Sequence, residues 1–222
     1  MLGNELNFIQ ELHNSTNRNY TARMLDEKVE AMDRAKLYEE DYWDGDRRYG
    51  YGGYRYIEGR WKELAEKLIE KYSLTSDSKI LDLGCGKGFL LFEIQKLIPG
   101  VKLYGVDISN HAIANLHPEL EIEAIILNAG SHLPFMDKEF DLVMSINTLH
   151  NLSLLNFENA ISNMMRLGKH QYLVVESFRD SQEQFNLQCW ALTANLLLSK
   201  DDWLYLFLKS EYFGDFEFIY FQ

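Results

Sequence analysis

Residues Leu81 to Gly88 read LDLGCGKG, an acidic residue followed by glycines at three alternate positions. A turn of this composition between an apolar strand and an amphipathic helix lets a ligand approach bare backbone. A side chain at Gly84 or Gly86 would block that approach. A phosphate loop requires G-x-x-x-x-G-K-[ST], and here Lys87 is followed by Gly88. A dinucleotide fingerprint requires G-x-G-x-x-G, and counted from Gly84 its last position falls on Phe89. What remains is D-x-G-x-G-x-G, with the carboxylate of Asp82 inside the strand end.

Other groups fit for chemistry lie on either side. Upstream, DRRYGYGGYRYIEGRW (46–61) holds four tyrosines, four glycines and four arginines. It could be a structural loop or a lid over a site, and its Arg47, Arg48, Arg55 and Arg60 suit a small anionic ligand. Downstream, GVDIS places Asp107 at the end of a second apolar run, and His150 follows a fourth. Glu176 and Arg179 come just after a fifth, in a position to orient a polar molecule or to cap the next helix. Trp190 sits in FNLQCWALT, where it lines a pocket or joins the core.

These groups need a scaffold. Residues 5–40 read as helical and charge-rich, with Met24, Leu25, Val29, Met32 and Leu37 at roughly helical spacing. Helix resumes near Ile57, with Trp61, Leu64, Leu68 and Ile69 on one face. From Lys79, short apolar runs alternate with helical stretches: KILDLG, KLYGVDIS, EAIILN, FDLVMSI and QYLVVES as strands. Runs apolar throughout are those of strands covered on both faces, and their alternation with helices argues a doubly wound, mostly parallel α/β sheet. DSQEQFNLQCWALTANLLL reads as one helix. SKDDWLYLFLKSEY reads as another with Ser199 as its N-cap, and DFEFIYF as a closing strand.

The 222 residues suit one domain with a decorated end: a helical extension and Tyr/Gly lid over 1–56, then the domain proper over 57–222. A formal charge of −12 argues against sequence-independent nucleic-acid binding, which needs clustered Lys and Arg. Cys85 and Cys189 are the only cysteines, too few and too separated for a disulfide framework or a metal site. No leader pattern opens the chain, and no run reaches the roughly 18 apolar residues of a spanning helix. A soluble cytoplasmic protein, monomer or homodimer, away from membranes, is the expectation.

LDLGCGKG, GVDIS and LNAGSHLPFMDKEFDLVMSINTLHNL, in this order and spacing, resemble the class I S-adenosylmethionine-dependent methyltransferases from about Arg60 to Phe221. The resemblance implies a Rossmann-like methyltransferase fold and S-adenosyl-L-methionine as cofactor, with no metal. It places the cofactor against Asp82, Gly84, Cys85 and Gly86. It makes Asp107, with Ile108, the partner of both ribose hydroxyls, since a carboxylate's two oxygens match two vicinal donors. Asn128, Ala129 and Gly130 fill the place where the family contacts adenine, and Ser145, Ile146 and Asn147 would lie beside the sulfonium. In glycine N-methyltransferase-type enzymes an Arg ahead of the first strand grips the methionine carboxylate, and Arg60 has a similar spacing. The family generally has two further strands after the fifth, of which only DFEFIYF is clear here, so an exposed edge could serve dimerisation.

The resemblance also gives the Tyr/Gly stretch a use. In small-molecule members this segment folds over the cofactor, so Tyr51 and Tyr54 could reach the methyl group and Tyr49 the acceptor. His150 is the most tempting base. SINT lacks the [DNS]-P-P-[YF] sequence of nucleic-acid amino methylases, and no Pro-Cys nucleophile exists. The expected activity is methylation of a small polar metabolite, amine or hydroxyl, anionic or nucleotide-sugar-like. The alternatives are a protein methyltransferase, or a cofactor-binding regulator without transfer activity.

Overall fold

The computed structural model describes residues 2–51 and 55–222. The strands are β1 (Lys79–Leu83), β2 (Lys102–Asp107), β3 (Glu123–Ile126), β4 (Phe140–Ile146), β5 (Gly168–Phe178), β6 (Leu198–Ser199) and β7 (Asp215–Tyr220). They form one sheet in the order β3-β2-β1-β4-β5-β7, with the short β6 joined to the last two residues of β5. Every ladder is parallel, the last strand included.

The helices ahead of β1 are α1 (Gln10–Asn14), α2 (Tyr20–Leu25), α3 (Lys28–Ala35), α4 (Glu40–Trp43) and α5 (Lys62–Tyr72). After β1 come α6 (Phe89–Leu97), α7 (Asn110–Ala114), α8 (Leu154–Leu167), α9 (Ser181–Trp190) and α10 (Lys200–Lys209). Alternate residues of each strand supply two cores. Ile80, Leu142, Met144, Tyr172, Val174 and Ile219 pack with α5, α6 and α9. Leu81, Val143, Leu173, Val175 and Phe218 pack with α8 and α10. Both faces are buried, which is why the strands read as continuous apolar runs; each fully buried Leu or Val contributes about 1.5–3 kcal/mol. No helix among the described residues is long and apolar enough to cross a membrane.

The structure departs from the sequence reading at both ends of the domain. The N-terminal stretch read as helical is three short helices, α1 to α3, interrupted at Asn19, whose side chain caps α2, and at Glu27, which has a φ of +43°. The periodic Leu25, Val29 and Leu37 are exposed, and the inward residues of α3 are Ala31 and Ala35. Periodicity there marks helix but not the buried face. The stretch from Asp180 likewise yields a helix only to Trp190, because Ala191 turns extended and the chain crosses to His150, whose carbonyl accepts from Asn195 and Leu196 N–H groups. The second strand after β5 exists as the two residues of β6. Ser199 caps α10 as expected, accepting from Asp202 N–H at 3.2 Å.

The outer edge of β7 is not open along its length. Leu6 N–H donates to the Phe216 carbonyl at 2.8 Å, and Phe216 N–H to the Asn4 carbonyl at 3.0 Å, pairing the N-terminal segment in parallel with β7. The buried Glu217 carboxylate then accepts the N–H groups of Phe8 (2.8 Å), Ile9 (2.9 Å) and Gln10 (3.2 Å) at the start of α1. Backbone pairing satisfies an edge that would otherwise invite another chain.

Candidate active site

The glycine turn lies at the carboxyl ends of β1, β2 and β4, where the chain's winding reverses and open α/β sheets bind ligands. Gly84 (φ +89°) and Gly86 (φ +53°) adopt backbone that other residues avoid. A Cβ at Gly84 would stand 2.2 Å from the Thr148 side chain. One at Gly86 would stand 2.7 Å from the Trp43 ring. Both glycines are therefore set by close approach as well as by dihedral.

Asp107 spans the turn. One of its oxygens accepts from Gly86 N–H at 2.8 Å and the other from Ser109 N–H at 2.9 Å. Burial pushes its pKa up, and these amides oppose that shift. Asp82, deeper and one strand over, is pushed up to about 8 by burial and by the Asp107 charge, and its Oδ1 has no hydrogen-bond partner among the described residues. Asn147, at φ +54°, also leaves a buried Oδ1 without one.

Two cavities meet over the turn. One, about 290 Å³, runs along Asp107, Ile108, Asn128, Ala129, Asn151 and Asn156. The other, about 210 Å³, runs along Trp61, Asp82, Cys85, Gly86 and Ile146. Both are lined by Tyr42, Trp43, Gly84, Asn147 and Thr148. This divided shape, with a carboxylate in each half and glycines between, fits a nucleoside joined to an amino acid.

The cover over these cavities comes from α4 rather than from the Tyr/Gly stretch alone. Trp43 Nε1 donates to Ser109 Oγ at 2.8 Å and to the Tyr38 carbonyl at 2.9 Å, and Ser109 Oγ donates to that same carbonyl. Asp44 accepts from Lys87 Nζ at 2.6 and 2.7 Å and pairs with His111 Nε2 at 2.7 Å. The segment thus grips the glycine turn on one side and α7 on the other. Sequence reasoning missed Tyr38, Tyr42, Trp43 and Thr148; YEEDYWD just ahead of the Tyr/Gly stretch carried the only signal, its aromatic density.

The remaining candidates separate. Tyr51 lines neither cavity: it packs behind Tyr42, its hydroxyl 3.3 Å from Thr193 Oγ1 and accepting from Leu192 N–H at 3.0 Å. Tyr54 lies outside the described residues. Tyr56 turns away, donating to Glu93 at 2.5 Å. Tyr49 packs beneath Arg34 and Arg48, and Gly130 lies against the backbone of Asn156. Arg60 is exposed in the turn before α5, beside Phe8, Glu11 and Glu63, and lines neither cavity. Arg179 donates to the Glu183 carboxylate and lies over Tyr220, beside Asp180, the N-cap of α9. Trp190 is buried against Tyr20 and Tyr51.

His150 and Glu176 form a buried pair, with Nε2 and Oε2 3.4 Å apart, and neither lines the two cavities. Burial holds the imidazole down to about 3, which makes it a weak base at neutral pH, and pushes Glu176 up to about 7. Ser145 donates to the Leu83 carbonyl at 2.6 Å and so braces β4 against β1.

A doubly wound parallel sheet, an acidic glycine turn after β1, a carboxylate ending β2 and a divided cleft over the switch point define the class I S-adenosylmethionine-dependent methyltransferase fold. The family described as "Methyltransferase domain" matches residues 74–210, more than half of the chain, and the chain belongs to it. The mitochondrial arginine-hydroxylase NDUFAF5 of Mus musculus is 34% identical over 92 residues, 40% of this chain and 26% of that protein. The malonyl-[acyl-carrier protein] O-methyltransferase of Bacillus cereus is 22% identical over 163 residues, 65% of this chain and 60% of that one. The chain thus matches less than two thirds of these relatives' length. Geranyl diphosphate C-methyltransferase of Streptomyces coelicolor, solved with S-adenosyl-L-homocysteine, superposes with a TM-score of 0.54 at 14% identity, over 66% of this chain and 59% of that chain. A Haloferax volcanii complex containing the Trm112 methyltransferase activator gives 0.55 at 15%, over 88% and 76%. At such identity these two show the fold alone.

Proposed function

We propose that this chain transfers the methyl group of S-adenosylmethionine to an amine or hydroxyl of a small, polar, anionic metabolite. The observation that carries the reading is the pair of cavities meeting at Gly84, one ending on Asp107 and the other on Asp82. In this arrangement Asp107 and Ile108 hold the ribose, Asn128 and Ala129 the adenine, and Cys85 and Gly86 approach through backbone. Asp82, with its unpartnered oxygen, suits the amino-acid end, which carries N–H donors. When bound, the cofactor supplies an electrophilic methyl on a sulfonium, leaving S-adenosylhomocysteine.

The chain's own task is alignment and exclusion of water. Tyr38, Tyr42 and Trp43 wall the site with aromatic surface, and faces of this kind stabilise a nearby cation. A site roofed by its own side chains suits a small acceptor better than a protein segment. An amine acceptor needs only a neutral nitrogen, and the weak basicity of His150 favours that choice over a hydroxyl. Two free, buried cysteines suit a reducing, cytoplasmic setting.

Calorimetric titration with S-adenosylhomocysteine tests this reading. One-site binding is expected, lost in Asp107→Ala, whose melting profile should stay cooperative. Unchanged affinity in that variant would remove the ribose assignment.

A further inference from the structure

We propose that Arg18, Arg23 and Arg47 form an anion subsite around Trp190, which takes a phosphate or diphosphate group of the acceptor; this rests on the methyl-transfer reading above. The three guanidinium carbons stand 5.3, 4.6 and 5.8 Å from the centre of one indole. A cavity of about 460 Å³ opens beside them, lined by Asn17, Asn19, Arg23, Arg47, Arg48 and Trp190.

The grouping runs against the chain's overall charge of −12. Two unit charges roughly 8 Å apart repel by about 2 kcal/mol at an effective dielectric of about 20. Three cation–π contacts return about 0.5–2 kcal/mol each, at most matching that repulsion. Two acids also line this cavity. Asp26 pairs with Arg48, and Asp46 accepts Arg48 N–H at 2.9 Å. Arg47 has no ion pair among the described residues, and Arg18 donates to the carbonyls of His13 (3.0 Å) and Thr16 (3.1 Å) rather than to a carboxylate. Arg18 Nε is buried without a partner, and burial lowers this guanidinium's pKa.

The place is right for an acceptor's tail. Trp190 faces Tyr51 at 6.2 Å, Tyr51 faces Tyr42 at 5.9 Å, and Tyr42 lines both cavities over the glycine turn. Tyr51, packed between these two rings, ties the subsite to the wall of the cavities, so an anion at Trp190 lies one aromatic ring beyond Tyr42. Charge favours phosphate over carboxylate: a phosphate ester carries about −1.5 to −2 near neutral pH and matches several guanidinium forks, whereas a carboxylate brings one charge.

Inorganic pyrophosphate titrated into the full chain by calorimetry, at ionic strength fixed with sodium chloride, tests the subsite, with S-adenosylhomocysteine titrated in parallel. One-site pyrophosphate binding is expected, weakened at least tenfold by Arg47→Ala, with acetate giving no saturable heat. Arg47 is exposed, so its truncation leaves the fold and the S-adenosylhomocysteine affinity within twofold of the parent. Absent pyrophosphate binding, or equal affinity in Arg47→Ala, overturns the subsite while S-adenosylhomocysteine binding persists. Failure of S-adenosylhomocysteine to bind the parent protein overturns the methyl-transfer reading and, with it, the acceptor role given to this subsite.

Discussion

The indole of Trp43 lies directly on Gly86: a Cβ at Gly86 would stand 2.7 Å from Trp43 Cη2 and 3.1 Å from Cζ3. Residues more than forty positions apart therefore share one surface, and the N-terminal segment is part of the candidate site's wall. Asp44, bonded to Lys87 in the glycine turn, repeats the relationship one residue on.

Gly86→Ala should destabilise the protein by about 1–3 kcal/mol, combining positive-φ strain with displacement of the indole. Urea unfolding of Gly86→Ala, Trp43→Ala and the double variant apportions the two causes. The glycine substitution is expected to be milder where the indole is already gone. Strict additivity would mean that the two residues do not press on each other.

Asp82 sets a pH dependence. Its folded pKa of about 8 exceeds the ordinary 3.8, so the folded chain keeps a proton that the unfolded chain releases. The contribution is complete below about pH 4 and is lost as pH rises through about 8. Glu176, raised to about 7 from 4.5 by burial, acts in the same direction. His13 and His150, both lowered to about 3, work oppositely below their unfolded 6.5, and Lys28, lowered to about 8, works oppositely above 8. The difference between parent and Asp82→Asn removes those shared terms. Urea midpoints of the parent relative to the variant should fall from pH 5 to about 8 and level off above it, and a rising difference would refute the assignment.

Glu217 ties α1 to the sheet, accepting three backbone N–H groups and the Tyr172 hydroxyl at 2.6 Å. Glu217→Ala leaves the buried Ile9 N–H and Tyr172 hydroxyl unsatisfied, at about 1–3 kcal/mol each before relaxation. Hydrogen exchange at residues 8–10 should accelerate at least tenfold while the amides of α6 change much less. Equal protection in parent and variant would show that the contact does not hold the N-terminus.

The scaffold and the glycine-turn half of the candidate site were legible in the sequence alone. The apolar runs of β1, β2, β4 and β5, the glycine spacing after Asp82 and the position of Asp107 are local patterns, imposed by steric limits and burial acting over a few neighbouring residues. The N-cap at Ser199 was legible for the same reason. Tertiary structure alone decided the rest. Leu25, Val29 and Leu37 keep helical spacing yet face solvent, because which side of a short helix is buried depends on what packs against it. Trp43 over Gly86, Glu217 under α1, and three arginines around Trp190 join residues distant along the chain. No periodicity encodes such contacts; they exist only once the sheet has brought the carboxyl ends of its strands to one rim and α4 has closed across it.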